Sequence, residues 1–257
     1  MAAIVDNPAV STGPRWASLA WSGKIVDVPA PVSDGRPAPP PPDAAPAEAR
    51  PSGRAIIAEQ LRAEVLAGLI GPGEAVREVA IAERFGVSRG PVRDALLQLS
   101  HEGILAAEPN CGMRVRNAAS EQDRKLMTRL RTDIETLAMK RAWDRLDPDT
   151  IDYWCGLADE VAAGSRDRDM LRVVRHDLAF HQDLVQRGLP EMVEIWLPLT
   201  LRMRLRYSSE HAIGTVAEEH AAIALAIGRG EQKQAEQMLR AHIAYGNKCP
   251  EPFTMGE

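Results

Sequence analysis

The sequence predicts a mainly α protein with one small β-hairpin in its N-terminal half. Three observations predict this. Apolar residues recur at helical spacing from Gly53 almost to the end of the 257-residue chain. Ala, Leu, Arg and Glu dominate while aromatics are only 4% of residues, a balance that favours helices over sheets. Short β-type segments joined by a Pro-Asn-Cys-Gly turn occur once, between Ile104 and Arg116.

Residues 1–52 stand apart in composition. The run from Pro37 to Pro51 is rich in Pro and Ala, with four prolines in a row from Pro39. Proline lacks a donor and fixes φ, so this leader is expected to be extended and flexible. Trp16, Leu19, Trp21, Ile25 and Val26 are apolar for a free tail, which leaves a docking arm as the alternative.

The helices follow in order. Ile56, Ile57, Leu61, Val65 and Leu69 mark the first, which Gly71-Pro72-Gly73 stops. A short helix from about Val79 to Arg84 ends at Gly86. Ser88 is placed to cap a third helix reaching His101, with Pro91 in its first turn, where a missing N–H costs little. Two short strands follow, Ile104–Ala107 and Met113–Arg116. This order, over residues 53–117, is that of a winged helix-turn-helix, whose second motif helix enters the major groove of double-stranded DNA.

Residues 118–257 read as an all-helical bundle of about six or seven helices. Met127, Leu130, Ile134, Leu137 and Ala138 mark one seam. Asp147-Pro148 starts a second helix, carrying Ile151, Trp154 and Leu157. A third covers about 167–186, and a fourth about 190–207 with Pro198 as a possible kink. Thr215 with Glu218 has the capping-box pattern for a fifth, which Gly228 ends. The last spans about 231–245.

Composition bounds the function. The formal net charge is -5, which argues mildly against a nucleic-acid partner unless basic residues cluster locally. Cys111, Cys155 and Cys249 form no CxxC pair, so neither a disulfide framework nor a Cys-based zinc site is supported, and a reducing cytoplasm fits best. No run of about 18 apolar residues is available to span a bilayer, and the N-terminus lacks the features of a secretory signal.

The local cluster of bases exists. Arg89 and Arg93 lie near the N-terminus of the third helix, where arginine can fork onto guanine edges or phosphates. Ser88 and that helix N-terminus suit a phosphate. Arg114 and Arg116 fall on one face of the second strand, and Gly112 allows close approach to the DNA backbone. Arg54, Arg62 and Arg84 are lesser candidates for phosphate contacts.

Spacing also singles out histidines. Asp177 and His181 are four apart on one helix face. His220 and His242 lie on two helices joined by the turn at Gly228–Gly230. At ~1.5 Å per residue they stand within about one helical turn of the same level. One Asp and three His from three helices can therefore converge, a donor set that suits zinc first, with nickel or manganese as alternatives. His176 and His211 read as surface residues.

Two stretches carry a family resemblance. Leu69-Ile70-Gly71-Pro72-Gly73-Glu74, Ala82 through Leu96 and Leu99-Ser100-His101-Glu102-Gly103-Ile104 resemble the DNA-binding domain of GntR-family transcription regulators. The chain departs from the pattern at Gly90, where the family often has a hydroxyl residue, and at Asp94, where it often has Glu. Asp177-Leu178-Ala179-Phe180-His181, Glu218-Glu219-His220 and Ala241-His242-Ile243 resemble the FCD-type effector domain of the FadR-like subfamily. The resemblance implies a homodimer in which Asp177, His181, His220 and His242 hold a metal and a small carboxylate effector binds beside it. It also implies that Arg131 faces the effector cavity, with a salt bridge to Glu135, four residues on, as the alternative reading. Arg202, Arg204 and Arg206 cannot all face one way, and Arg204 is the candidate to reach the cavity. The expectation is a ligand-responsive regulator, a repressor, and not an enzyme. The alternatives are a metal-free regulator of an acyl-CoA or sugar acid, and a metal-dependent hydrolase or lyase. No HExxH or spaced general base supports the last.

Overall fold

The computed structural model describes residues 52–108, 112–205 and 211–245. Residues 1–51 of the leader, the hairpin turn at 109–111, Arg206 and Cys249 lie outside these residues, as does the side chain of His211. The described residues form nine α-helices and one three-stranded sheet. No helix among them is long and apolar enough to cross a membrane.

The N-terminal part is a winged helix-turn-helix. Helix α1 (Gly53–Leu66) opens at Ser52, whose hydroxyl accepts from the Ala55 amide. It ends earlier than the apolar spacing predicts, and Leu69 is 63% exposed in the turn that follows. Helix α2 (Glu78–Phe85) stops at Gly86, which takes the left-handed φ of 64° that a residue with a Cβ resists. Helix α3 (Arg89–His101) buries Val92, Ala95, Leu96 and Leu99, spaced three and four apart, against Ile57, Leu61 and Val65 of α1. Ser88 holds the N-cap position, but its hydroxyl makes no capping bond.

Strand β1 (Ala75–Val76) pairs with β3 (Gly112–Val115), which pairs with β2 (Leu105–Glu108), all antiparallel. The register sets Leu105 opposite Val115 and Ala75 opposite Arg114. The sequence reading missed β1, because two residues are too few to show any periodicity.

Six helices follow: α4 (Glu121–Ala142), α5 (Pro148–Asp167), α6 (Met170–Gly188), α7 (Val193–Arg204), α8 (His211–Gly228) and α9 (Gln232–Tyr245). Ser120, Asp147 and Asp169 cap α4, α5 and α6, each accepting a backbone N–H three residues on. Pro198 sits inside α7. The expected capping box at Thr215 is not a helix start: α8 begins at His211 and Thr215 lies in its second turn. The backbone continues as helix upstream, so no free N–H is left there to cap.

The seam expected on α4 is largely reversed. Ala138 is buried, but Leu130 and Leu137 are more than 40% exposed, as is Leu126. The inward face carries Thr128, Arg131, Glu135 and Thr136 instead. Polar side chains can line an interior only where they find partners or a ligand, so this inversion already marks a site.

Gly188 ends α6 where it crosses α4, and a Cβ there would overlap the Ala138 backbone. Gly188→Ala is expected to cost about 1–3 kcal/mol of stability by overpacking, read as a lower urea midpoint. An unchanged midpoint would show that the crossing can open without cost.

Candidate functional site

Three helices deliver one polar cluster. Asp177 and His181 point inward from α6, His220 from α8 and His242 from α9, and all four are buried. One ligand atom from each lies within 4.8 Å of the others. His220 Nε2 is 3.2 Å from Asp177 Oδ1, and His181 Nε2 and His242 Nε2 are 3.0 Å apart. Phe180, fully buried, sets its ring edge-on to His181 and His220. The four residues expected from spacing are thus brought together.

Their proton positions follow from what surrounds them. His181 Nδ1 lies 2.7 Å from Glu135 Oε2, and His242 Nδ1 lies 2.7 Å from Glu219 Oε2. His220 Nδ1 lies 2.9 Å from the Val216 carbonyl. Carboxylate and carbonyl oxygens only accept, so each Nδ1 holds the proton and donates it. Each Nε2 is then a lone pair aimed at the common centre. His220 Nε2 has no hydrogen-bond partner among the described residues.

Burial keeps the imidazoles neutral. It pushes His220 and His242 down to about 4, with the neighbouring arginine Arg204 adding to the effect on both. His181 is held well below its ordinary value by burial and then by Arg131. Burial alone would raise Asp177, but the guanidinium of Arg204 outweighs it and keeps the carboxylate ionised.

Neutral lone pairs facing each other across 3.0 Å repel unless a cation lies between them. Two nitrogens each about 2.1 Å from one ion stand about 3.0–3.4 Å apart, so the spacing fits a divalent metal. The outer carboxylates Glu135 and Glu219 fit it too, since ligating histidines usually donate their second N–H to such a group. The residues present can therefore hold a metal ion.

Glu135 was seen in the sequence only as a possible partner of Arg131. It is fully buried and accepts from Arg131 Nε at 2.5 Å, Trp196 Nε1 at 2.8 Å and His181 Nδ1. Both readings of Arg131 apply at once: it pairs with Glu135 through Nε, and its Nη2 is buried without a partner among the described residues. Arg204 reaches the cluster by pairing with Asp177. Arg202 instead donates to the Asn117 carbonyl. Glu219 went unnoticed, although its place beside His220 in Glu218-Glu219-His220 was a usable signal.

On the DNA-reading part the candidates divide. Arg89 and Arg93 project from the first turns of α3 with side chains about 60% exposed, and both donate to Glu78 on α2. Exposed pairs of this kind are weak and exchange readily for a better anion. Ser88, Gly90 and Arg54 are exposed, and open space surrounds the Cβ position of Gly90. Gly112 opens β3 with a φ of +83°. Arg114 donates to Glu108 at 2.6 Å and to the Gly73 carbonyl, which stiffens the wing.

Arg62 is differently placed. It forks onto Glu102 with bonds of 2.8 and 2.6 Å and is largely buried, tying α1 to the end of α3. Arg84 likewise pairs with Glu64. Both arginines tie neighbouring helices through a buried carboxylate, a role that helix spacing alone does not reveal, and the Arg84 side chain stays 44% exposed.

A winged helix-turn-helix with exposed arginines, joined to a helical bundle around a buried polar cluster, defines a DNA-binding transcription regulator. Two family descriptions match the chain: bacterial regulatory proteins of the gntR family over residues 54–115, and the FCD domain over residues 126–245. The chain belongs to the GntR family of DNA-binding transcription regulators, in the branch that carries an FCD domain. It is 27% identical over 193 residues to an uncharacterized HTH-type transcriptional regulator, YdhC, of Bacillus subtilis, covering 72% of this chain and 84% of that one. It is 28% identical over 201 residues to a probable D-xylose utilization operon transcriptional repressor of Paenarthrobacter nicotinovorans, covering 74% and 87%. The solved structure of McbR/YncC from E. coli shares the fold, with a TM-score of 0.65 at 20% identity over 76% of this chain and 95% of that one. These relatives are named as regulators, so the hydrolase or lyase alternative gains no support.

Replacing Glu135 by Gln keeps its shape but strands the Arg131 charge. Such a loss of one partner in a buried pair costs about 3–5 kcal/mol. Glu135→Gln should therefore melt well below the wild type in a thermal scan, and an equal melting temperature would contradict the three-donor arrangement.

Proposed function

We propose that this regulator is a repressor whose helical domain, residues 118–257, holds a divalent metal and senses a small organic acid beside it. The observation that carries this reading is the set of three imidazole Nε2 lone pairs and one carboxylate, each backed by an outer partner. Zinc is the first choice for three imidazoles and a carboxylate, with nickel or manganese as alternatives. Arg131 with Glu135 and Arg204 with Asp177 are two buried pairs whose charges cancel. A bound divalent ion supplies uncompensated positive charge and open coordination positions, and an acid's carboxylate answers both. The name of the D-xylose operon relative supports repression.

Signal transfer rests on α6. Its inner face carries Asp177 and His181, and its outer face meets the DNA-reading part, residues 53–117. Arg175 of α6 donates to Gln60 of α1, Gln60 donates to Glu64 at 2.6 Å, and Glu64 holds Arg84 of α2. A crevice of about 320 Å³ separates Val174, Arg175 and Gln182 of α6 from Glu59 and Arg62 of α1 and Gln98 of α3. A shift of α6 on ligand binding would move α1, and α3 with it. The effector acts only through its different affinity for the two arrangements.

Ser88, Arg89, Gly90 and Arg93 form the base-reading end, with Gly112 and Arg114 on the wing and Arg54 as an outer phosphate contact. The cytoplasm is the place such a reader works. The chain is proposed to act as a homodimer on paired half-sites. Leu126, Leu130 and Leu137, exposed along α4, supply an apolar face for it.

Two measurements test this reading. Metal analysis of untreated protein should find about one ion per chain. Returning zinc to chelator-stripped protein should raise the melting temperature on the order of 5–10 °C at a hundredfold excess over Kd. His220→Gln should lose that rise, and Glu219→Gln should weaken binding by about 10–100-fold. A metal-free protein indifferent to zinc, nickel and manganese would remove the metal.

The second is anisotropy with a fragment of the chain's own promoter region. Arg89→Ala or Arg93→Ala should cost about 1–3 kcal/mol of affinity while stability stays within about 0.5 kcal/mol. Arg62→Ala should do the reverse. Stoichiometry should be two chains per duplex. Undiminished binding by the Arg89/Arg93 double variant would sink the assignment.

A further inference from the structure

Two buried polar atoms near the histidine cluster remain without partners, and the helix register sets them opposite each other. Thr200 on α7 is fully buried, and its Oγ1 has no hydrogen-bond partner among the described residues. Arg131 on α4 is 1% exposed, and its Nη2 is equally unpartnered. Two contacts fix how α4 and α7 lie: Thr128 Oγ1 meets Met203 Sδ at 3.4 Å, and Glu135 accepts from Trp196 Nε1 at 2.8 Å. The helices are therefore antiparallel. Arg131 is three residues beyond Thr128, and Thr200 is three before Met203. Arg131 is likewise four before Glu135, and Thr200 four beyond Trp196. The two residues share one level.

They also share the side of their helices that bonds to the cluster. Thr200 falls between Trp196 and Arg204 at helical spacing, and those two side chains bond to Glu135 and Asp177. Arg131 stands one turn from Glu135 on its own helix.

The missing bond is unusual for a helical threonine. Such a hydroxyl ordinarily donates to the carbonyl four residues back. Thr128, Thr132 and Thr136 of α4 all do so, at 2.8, 2.7 and 2.6 Å. Thr200 does not. A buried hydroxyl and a buried guanidinium N–H left unpaired each cost free energy, and such groups ordinarily have an occupant between them.

We infer that Thr200 and Arg131 form a pair that reads one oxygen of the acid, with Thr200 as a specificity-determining residue that no comparison assigns. Arg131 Nη2 only donates and the Thr200 hydroxyl can donate, so the atom between them is an acceptor, which the small-acid reading supplies as a carboxylate oxygen. This inference rests on the small-acid reading of the preceding subsection and adds the residue that selects the acid.

The experiment is calorimetric titration of acetate, L-lactate and citrate into the zinc-loaded full chain. At least one acid should bind the wild type. Thr200→Val, equal in shape but without the hydroxyl, should bind that acid about tenfold more weakly. Thr200→Ser should retain most of the affinity, and both variants should keep the wild-type zinc content. In the absence of acid, Thr200→Val should melt no lower than the wild type, because it removes an unpaired hydroxyl. Equal acid affinity in Thr200→Val overturns the inference and leaves the small-acid reading standing. A clear loss of acid-free stability in Thr200→Val also overturns it, since the hydroxyl would then have a structural partner. Binding of none of the three acids by the zinc-loaded wild type overturns the small-acid reading and this inference together.

Discussion

The bundle depends on one buried carboxylate. Glu135 accepts from Arg131 on its own helix, from Trp196 on α7 and from His181 on α6, and water reaches none of it. An ionised carboxylate in an interior is tolerable only when its lone pairs are used. Meeting that condition here fixes three helices relative to one another. It also fixes the His181 tautomer, which turns Nε2 toward Asp177, His220 and His242. Structural order and chemical readiness come from the same bonds.

The polar interior explains the apolar exterior. The inward face of α4 carries Arg124, Thr128, Arg131, Glu135 and Thr136 beside Ala138, Met139 and Ala142, and its leucines lie outward. The hydrophobic contribution to the bundle comes instead from Trp154, Phe180, Leu184, Trp196 and Leu239, which surround the polar centre. The low-dielectric wall they make holds the histidines neutral.

One helix serves both halves of the described chain. Helix α6 presents Asp177 and His181 to the centre and Arg175 to α1. Packed helices shift as rigid bodies between discrete arrangements and do not deform continuously. The contact with α1 continues into α3, where Val92, Ala95, Leu96 and Leu99 lock the DNA-facing helix to α1.

The sequence by itself determined the helices, the hairpin and the four clustered donors. Helix rise and periodicity are local properties, and Asp177 and His181 share a face whatever surrounds them. His220 and His242 were legible because a tight turn makes their helices antiparallel. It also exposed Arg89 and Arg93, since an N-terminal helix turn bearing two arginines has little to pack against. Tertiary structure alone decided the partners. Whether Arg62 meets DNA or Glu102, whether the leucines of α4 face in or out, and whether Thr200 stands opposite Arg131 all depend on the register between helices. That register is set by contacts such as Glu135–Trp196 and Gly188–Ala138, which join residues tens of positions apart and leave no periodic trace in the chain.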